Sequence, residues 1–311
     1  MRRHRNSVSR FQLVALATLM ALLLGPAVTL TRAADQKTFP TPDAAMAALI
    51  AAVKAQATDQ VMAILGPELE AFNTTRDKSE DQIERDVFLD GARKQLKLEK
   101  KADDPNTVIA YVGILEWPFP APLVKTPAGW KFDGKAALEE ILDRQFGRNE
   151  LDIIEACQSY VDAQLEYFSL DRQGDGYLQF AQKFNSTTGK SDGLYWSNAS
   201  GEDVSPIGPF AAEAAATEIS GAVPFSGYFA KIVTAQGDSA EGGARSYLVN
   251  GRMLAGFALV AWPATYGVTG HSTFIVNQLG TVYQKDLGDD TDKIARALDL
   301  FNPDNTWKKV E

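Results

Sequence analysis

The sequence has little of the residue types on which most metal centres and covalent catalysts depend. Its 311 residues contain one cysteine, Cys157, and two histidines, His4 and His271. A single cysteine excludes an internal disulfide, so the stability of the chain must come from apolar burial. The shortage of histidine leaves few ways to build a catalytic triad or a zinc site. These absences favour a protein that binds or assembles over one that catalyses a reaction.

Basic residues are also scarce once the N-terminus is set aside. The chain has 31 Lys and Arg against 40 Asp and Glu, and five of the arginines lie in residues 1–33, which contain no acid. The remainder holds 26 basic against 40 acidic side chains, a formal charge of −14. Such a surface repels phosphate groups, so we expect neither nucleic acid nor an anionic lipid surface as a partner.

Residues 1–33 have the order of a secretory signal. A basic start is followed by the apolar segment Phe11–Leu30 and by small residues on the N-terminal side of a cut after Ala33. We expect cleavage there, no membrane span afterwards, and a periplasmic or secreted location in a bacterium. An uncleaved membrane anchor is the alternative, because roughly 18 apolar residues are long enough to span a bilayer.

The first half of the remaining chain, residues 38–147, reads as helices followed by an antiparallel sheet. Thr41 is a helix N-cap, with Pro42 and Asp43 in the first turn, where a missing amide and a negative charge are both favourable. The other predicted elements of this half are helices over residues 59–65, 79–96 and 135–146 and strands over residues 107–117, 123–125 and 130–132.

The second half, residues 148–311, combines a long helix with a sheet. The helix is predicted from Asn149 to Leu170, and Gly147 is expected to end the helix before it. Blocks of β-branched and aromatic residues broken by Gly, Pro and Asn run from Tyr247 to Gly288, which is typical of strands joined by tight turns. The predicted fold class is α+β, with two domains that meet at Gly147–Arg148.

Several short motifs, spread over nearly the whole chain after residue 33, resemble one bacterial family. They are Trp117-Pro118-Phe119-Pro120, Gly129-Trp130-Lys131-Phe132-Asp133, Gly147-Arg148-Asn149-Glu150-Leu151, Asp192-Gly193-Leu194-Tyr195-Trp196 and Val249-Asn250-Gly251-Arg252-Met253. The chain is identified on these as a member of the family catalogued as domain of unknown function 2950. That resemblance implies an exported protein and assigns no activity.

Two more distant resemblances concern the fold. The first domain is similar in pattern to the nuclear-transport-factor-like cone, in which helices cover a curved sheet. If the cone encloses a pocket, Tyr111, Trp117 and Trp130 are the candidates to line it, and the alternative is that they are core aromatics. The second domain is similar to the heads of type IV pilins and type II secretion pseudopilins. That pilin-head-like pattern lacks the pilin assembly helix at the start of the mature chain.

The segment Asp171-Arg172-Gln173-Gly174-Asp175-Gly176 is the candidate metal site. Read as a calcium loop, Asp171 and Asp175 are ligands at positions one and five, and Gly176 supplies the turn. Position twelve is Gln182 where a bidentate glutamate is expected. A glycine-rich turn that uses aspartate for its turn chemistry is the other interpretation. No other cofactor is expected.

Two further patterns with catalytic associations are incomplete. His271 is followed by Ser272, but neighbours on a strand point to opposite faces, so the two do not form a catalytic pair. Gly189-Lys190-Ser191 resembles the end of a phosphate loop, yet Phe184 stands where that loop requires glycine. Neither pattern therefore predicts an active site.

Three functional hypotheses remain. The first is a non-enzymatic envelope protein that binds or assembles with a partner. The second is a carrier of a small apolar molecule or lipid, with its pocket in the first domain. The third is a hydrolase of unrecognised type, which requires clustered titratable residues in a cleft.

Overall fold

The computed structural model describes residues 36–72, 78–197, 204–208 and 224–310. The predicted signal, residues 1–33, lies outside this part of the chain. The chain divides into two compact units, one through Gln145 and the other from Phe146. Five α-helices are described: α1 (Pro42–Lys54), α2 (Thr58–Leu65), α3 (Lys78–Lys94), α4 (Gly134–Phe168) and α5 (Thr291–Ala297). None of the helices in the described ranges is both long enough and apolar enough to cross a bilayer.

The first unit places helices against one antiparallel sheet. Its strands are β1 (Leu96–Lys101), β2 (Asp104–Val112), β3 (Trp117–Pro118), β4 (Leu123–Thr126) and β5 (Gly129–Phe132). They pair in the order β1-β2-β4-β5, and β3 pairs with β2. The core between helices and sheet contains Leu49, Phe88 and Phe132, each fully buried.

The predicted start of α1 is confirmed. Thr41 has extended backbone angles, and its hydroxyl accepts a hydrogen bond from the Ala44 amide at 3.1 Å, while Pro42 opens the helix. The next helix ends at Gly66, as its sequence predicted. The hairpin of β4 and β5 is also present, with Leu123 paired to Phe132.

Two predicted elements of the first unit differ from the structure in their bounds. The helix predicted from Ser79 to about Leu96 is present as α3 but ends at Lys94, and Leu96 opens β1, whose leucines alternate with charged residues and face the core beside β2. The strand predicted over residues 107–117 is interrupted by a turn. Gly113 and Glu116 both have positive φ there, so the ladder of β2 stops at Val112 before β3 begins.

The prediction of two helices that meet at Gly147 was wrong. A single 35-residue helix, α4, runs from Gly134 to Phe168. Asn149, the predicted first residue of the second helix, lies inside α4, and its side-chain amide donates to the Thr269 carbonyl at 2.8 Å. One glycine costs a helix only about 1 kcal/mol, which packing along a long helix readily offsets.

The second unit packs α4 against a five-stranded antiparallel sheet. The strands of this unit are β6 (Tyr228–Val233), β7 (Ala235–Gln236), β8 (Arg245–Ser246), β9 (Leu248–Val249), β10 (Arg252–Met253), β11 (Ala258–Pro263), β12 (Ser272–Asn277), β13 (Tyr283–Asp286) and β14 (Lys308–Lys309). The large sheet has the order β14-β13-β12-β11-β6. Cys157, Tyr160, Phe257, Trp262 and Phe274 belong to its core. The overall fold class is α+β, as predicted.

Candidate functional site

A cavity of about 460 Å³ lies in the second unit, between helix α4 and the large sheet. The sheet contributes side chains from β6 and β11, and connecting segments contribute Phe184, Ile207 and Phe225. Leu259 and Ala261, two residues apart on β11, share one face of the strand and form part of the wall. A predominantly apolar cavity of this size is typical of small-molecule sites.

The floor of the cavity is formed by one face of α4. Ile153, Cys157 and Tyr160 follow each other at intervals of four and three, which brings them to one side of a helix, and all three are buried. The Tyr160 hydroxyl donates to the Ala258 carbonyl at 3.2 Å and accepts from the Gln164 side-chain amide at 3.0 Å. Its polar atom is therefore satisfied within the protein, and the floor presents apolar surface.

The rim of the cavity on the helix side is polar and acidic. Asp152, Glu155 and Ser159 line it and are exposed. The Ser226 hydroxyl donates to Asp152 at 3.0 Å. No lysine or arginine is among the described residues that line the cavity. The site thus combines an apolar interior with a negative edge.

The titratable groups inside the cavity are neutral at physiological pH. Burial raises the pKa of the Cys157 thiol to about 12. Burial also raises the pKa of Tyr160, although the hydrogen bond from Gln164 acts in the opposite direction. The pKa of Tyr228 is raised by burial first and by the nearby Glu150 carboxylate second. A protonated, buried thiol is a poor nucleophile, so Cys157 behaves as a small apolar side chain.

The pocket predicted in the first unit stays a prediction, because the two described cavities both lie in the second unit. Neither the cavity above nor a second one over residues 185–197 includes Tyr111, Trp117 or Trp130. Lys97 lies 6.0 Å from the Tyr111 ring centre, and the Arg144 guanidinium lies 5.3 Å from that of Trp117. Trp130 packs against the core of the first unit. These three aromatics contribute to packing and to contacts with cations.

The two predicted calcium ligands are engaged with the protein itself. Asp171 accepts hydrogen bonds from the amides of Gly174, Asp175 and Gly176 at 2.8–3.2 Å. Asp175 forms an ion pair with Arg252 at 2.8 Å, which lowers its pKa. Across the described ranges, no three His, Cys, Asp or Glu side chains are grouped as a metal site. The loop has the geometry of the glycine-rich turn.

His271 lies in an aromatic environment, one residue before β12. Its ring meets those of Phe146 and Tyr266 edge to face, with centres 4.8 and 5.2 Å apart. The Glu150 carboxylate accepts hydrogen bonds from the backbone amides of His271 and Ser272. The Glu150 carboxylate is therefore bound to backbone amides. This arrangement does not resemble a catalytic triad, in which a nucleophile, a base and an acid are hydrogen bonded in series.

Sequence reasoning missed the cavity because its residues are dispersed. Phe184, Ile207 and Phe225 are isolated apolar residues in segments without a helical or strand period. The one available signal was the helical face of Ile153, Cys157 and Tyr160, but such a face is equally typical of a helix packed against a core. Only the folded arrangement reveals that this face lines a cavity.

A class and a family follow from these observations. The second unit is an α+β unit with an apolar cavity between its helix and sheet. The model of the family described as "Protein of unknown function (DUF2950)" matches residues 36–310, and the chain belongs to this family. The family gives no evidence of catalysis. No curated protein and no solved structure matches the chain. The pilin-head and cone resemblances therefore stay predictions.

Proposed function

We propose that this chain is an exported, non-enzymatic binding protein that holds a small apolar molecule in the cavity against α4. The cavity itself is the observation that supports the proposal. Its volume of about 460 Å³ lies within the range of small-molecule sites, and burial of apolar surface there favours binding by about 25 cal/mol per Å². The basic and apolar order of residues 1–33 supports export.

The charge at the rim favours one kind of ligand. Asp152 and Glu155 place carboxylates at the mouth, and the described lining has no basic side chain. A fatty acid would bring a third negative charge to this edge, whereas an amine would be attracted to it. The proposed ligand is therefore a neutral or cationic apolar molecule.

A fluorescence titration with N-phenyl-1-naphthylamine, a neutral apolar dye, tests the proposal. We expect saturable enhancement with the purified protein. Ala156→Trp should weaken it by at least about tenfold, because Ala156 lines the cavity and the larger ring occupies its space. The matched control is Ala136→Trp, a half-buried alanine of the same helix outside the cavity, and it should bind the dye like the unmodified protein.

Competition then identifies the head group. Dodecylamine should displace the dye at a lower concentration than dodecanoate, and neutralising Asp152 and Glu155 together should remove that difference. Absence of dye binding, or equal binding by Ala156→Trp, would show that the cavity is not a ligand site. Equal displacement of the dye by the two amphiphiles would refute only the proposed effect of the rim charges and would leave the cavity as a ligand site.

A further inference from the structure

A second cavity, of about 490 Å³, is formed by one short stretch of the second unit. Its described lining consists of Asn185, Ser186, Thr187, Thr188, Gly189, Lys190, Ser191, Tyr195, Trp196 and Ser197. Five of these ten residues carry hydroxyls on aliphatic side chains, one carries an amide and two are aromatic. The composition is the opposite of that in the apolar cavity, so the two sites suit different ligands.

The loop around this cavity is fixed at its base. Asn185 and Tyr195 form a parallel bridge, and the Ser186 amide donates to the Tyr195 carbonyl at 2.8 Å. The Ser186 hydroxyl accepts from the Gly193 amide at 2.9 Å. A Cβ on Gly193 would lie 2.8 Å from the Ser186 nitrogen, so only glycine allows this close approach. The two ends of the loop are thereby held together.

A carboxylate holds the loop from the other side. Asp192 accepts hydrogen bonds from the amide and hydroxyl of Thr187 at 2.7 and 2.9 Å and pairs with Lys183 at 2.8 Å. Partial burial raises the pKa of Asp192, but Lys183 and the hydrogen bonds from Thr187 outweigh it and leave the pKa below its ordinary value. The carboxylate is charged at neutral pH, which keeps these bonds in place.

The aromatic part of the cavity is also anchored. The Arg172 guanidinium lies 5.6 Å from the ring centre of Trp196 and 5.4 Å from that of Tyr167. The Tyr167 hydroxyl donates to the Ser191 carbonyl at 2.7 Å. Because these contacts fix the loop before any ligand arrives, little ordering would accompany binding.

We propose that this second cavity binds a saccharide with a negatively charged group. A sugar presents hydroxyls that both donate and accept hydrogen bonds, together with an apolar C–H face. Serine and threonine hydroxyls and an asparagine amide match the first property, and the half-buried Tyr195 ring matches the second. Tyrosine among small polar residues is also the composition of adaptable recognition surfaces elsewhere.

Lys190 supplies the charge selection. It is exposed and is the one charged side chain among the described residues of this lining, in a chain that is strongly acidic. An ammonium group among hydroxyls attracts a carboxylate or phosphate on the ligand. The Gly189-Lys190-Ser191 segment therefore has a role that does not require a phosphate loop.

Saturation-transfer difference NMR on the purified protein tests the proposal with four probes. They are a galacturonic acid trimer, glucose 6-phosphate, maltotriose and an N-acetylglucosamine trimer. We expect saturable binding of at least one acidic probe, about tenfold weaker after Tyr195→Ala. Lys190→Met should weaken the acidic probes to the level of the neutral ones. The two acidic probes distinguish a carboxylate from a phosphate as the recognised group.

Matched variants outside the cavity keep the test specific. Tyr177→Ala removes an exposed tyrosine and Lys125→Met an exposed lysine, and neither should change binding. Circular dichroism checks that each variant is folded, and Lys190→Met alters a side chain too exposed to unfold the chain. The proposal is overturned if no acidic probe binds, if Tyr195→Ala leaves the affinity for the acidic probes unchanged, or if Lys190→Met leaves the preference for acidic probes intact.

Discussion

The side chain of Gln164 is hydrogen bonded to both backbone groups of Ala181. Its Nε2 donates to the Ala181 carbonyl at 2.8 Å, and its Oε1 accepts from the Ala181 amide at 2.8 Å. Both residues are fully buried. A buried backbone amide and carbonyl each need a partner, and here a helix side chain provides both in the place of a neighbouring strand. The pair therefore ties the segment after α4 to the helix.

Replacing Gln164 by leucine should strongly destabilise the second unit. The change leaves the buried amide and carbonyl of Ala181 unpaired, and each costs about 1–3 kcal/mol. We expect a loss of about 3 kcal/mol in the free energy of unfolding, measured by urea denaturation. The Ala181 amide should also lose its protection in hydrogen exchange.

Gln158→Leu is the matched control, because Gln158 lies on the same helix and is exposed. Its free energy of unfolding should change by no more than about 0.5 kcal/mol. If Gln164→Leu and Gln158→Leu lowered the free energy of unfolding by similar amounts, the contacts of Gln164 with Ala181 would contribute little.

The single cysteine offers a direct measurement of burial at the cavity floor. With the pKa of Cys157 raised to about 12, the reactive thiolate is scarcer than in the unfolded chain by about three orders of magnitude at pH 8. Alkylation by iodoacetamide, followed by mass spectrometry, should slow by at least that factor in the folded protein. Its rate should still rise up to pH 10, whereas the rate in denaturant should level off above about pH 9. Equal rates with and without denaturant would mean that the thiol is exposed.

Local signals explain the parts of the fold that sequence predicted well. Thr41, Pro42 and Gly66 act on the conformation of their immediate neighbours in the chain, so their effect is visible in the sequence. The strand at Leu96 was missed because its alternating leucines and lysines become a strand through pairing with β2, and that partner is not a local property. The same reasoning applies to Gly147, where packing along the whole of α4 outweighs a local preference.

The candidate sites depend still more on distant residues. The apolar cavity is lined by Tyr160 on the helix, by Leu259 on a strand and by Phe225 in a connecting segment. No periodicity in the sequence relates these positions. The polar cavity, by contrast, lies within residues 185–197, so its serines, threonines and aromatics stand close together in the sequence. What the sequence did not reveal was the closed loop that brings them around one space.

Calcium should leave the stability of the protein unchanged. Asp171 already accepts three backbone amides, and Asp175 is paired with Arg252, so a cation would have to displace existing bonds. We expect the same melting temperature in millimolar calcium and in chelator, measured by circular dichroism. A rise with calcium that disappears in Asp171→Asn would establish the calcium loop instead, because a ligand of the native state must stabilise it.

The ion pair between Asp175 and Arg252 should be visible in a pH titration. The hydrogen bond from Arg252 is the largest cause that lowers the pKa of Asp175 below 3.8. A carboxyl group with a lowered pKa stabilises the folded state at every pH above its ordinary pKa. This contribution to stability is lost as the pH falls through the folded-state pKa. By carboxyl-carbon NMR we expect the Asp175 pKa to rise in Arg252→Met. It should stay unchanged in Arg245→Met, which removes an exposed arginine elsewhere in the same unit. The same pKa in both variants would contradict this assignment.

The continuity of helix α4 at Gly147 leads to a stabilising substitution. Gly147 has helical φ, and a Cβ built there meets nothing within 4 Å. Gly147→Ala should therefore raise the free energy of unfolding by about 0.5–1 kcal/mol, since alanine restricts the unfolded chain and favours the helix. Gly91, inside α3, is the informative comparison because its Cβ would lie 3.1 Å from Val112 Cγ1. Gly91→Ala should leave the free energy of unfolding unchanged or lower it. Urea denaturation measures both, and a loss on Gly147→Ala would indicate a break at this residue, as the sequence first predicted.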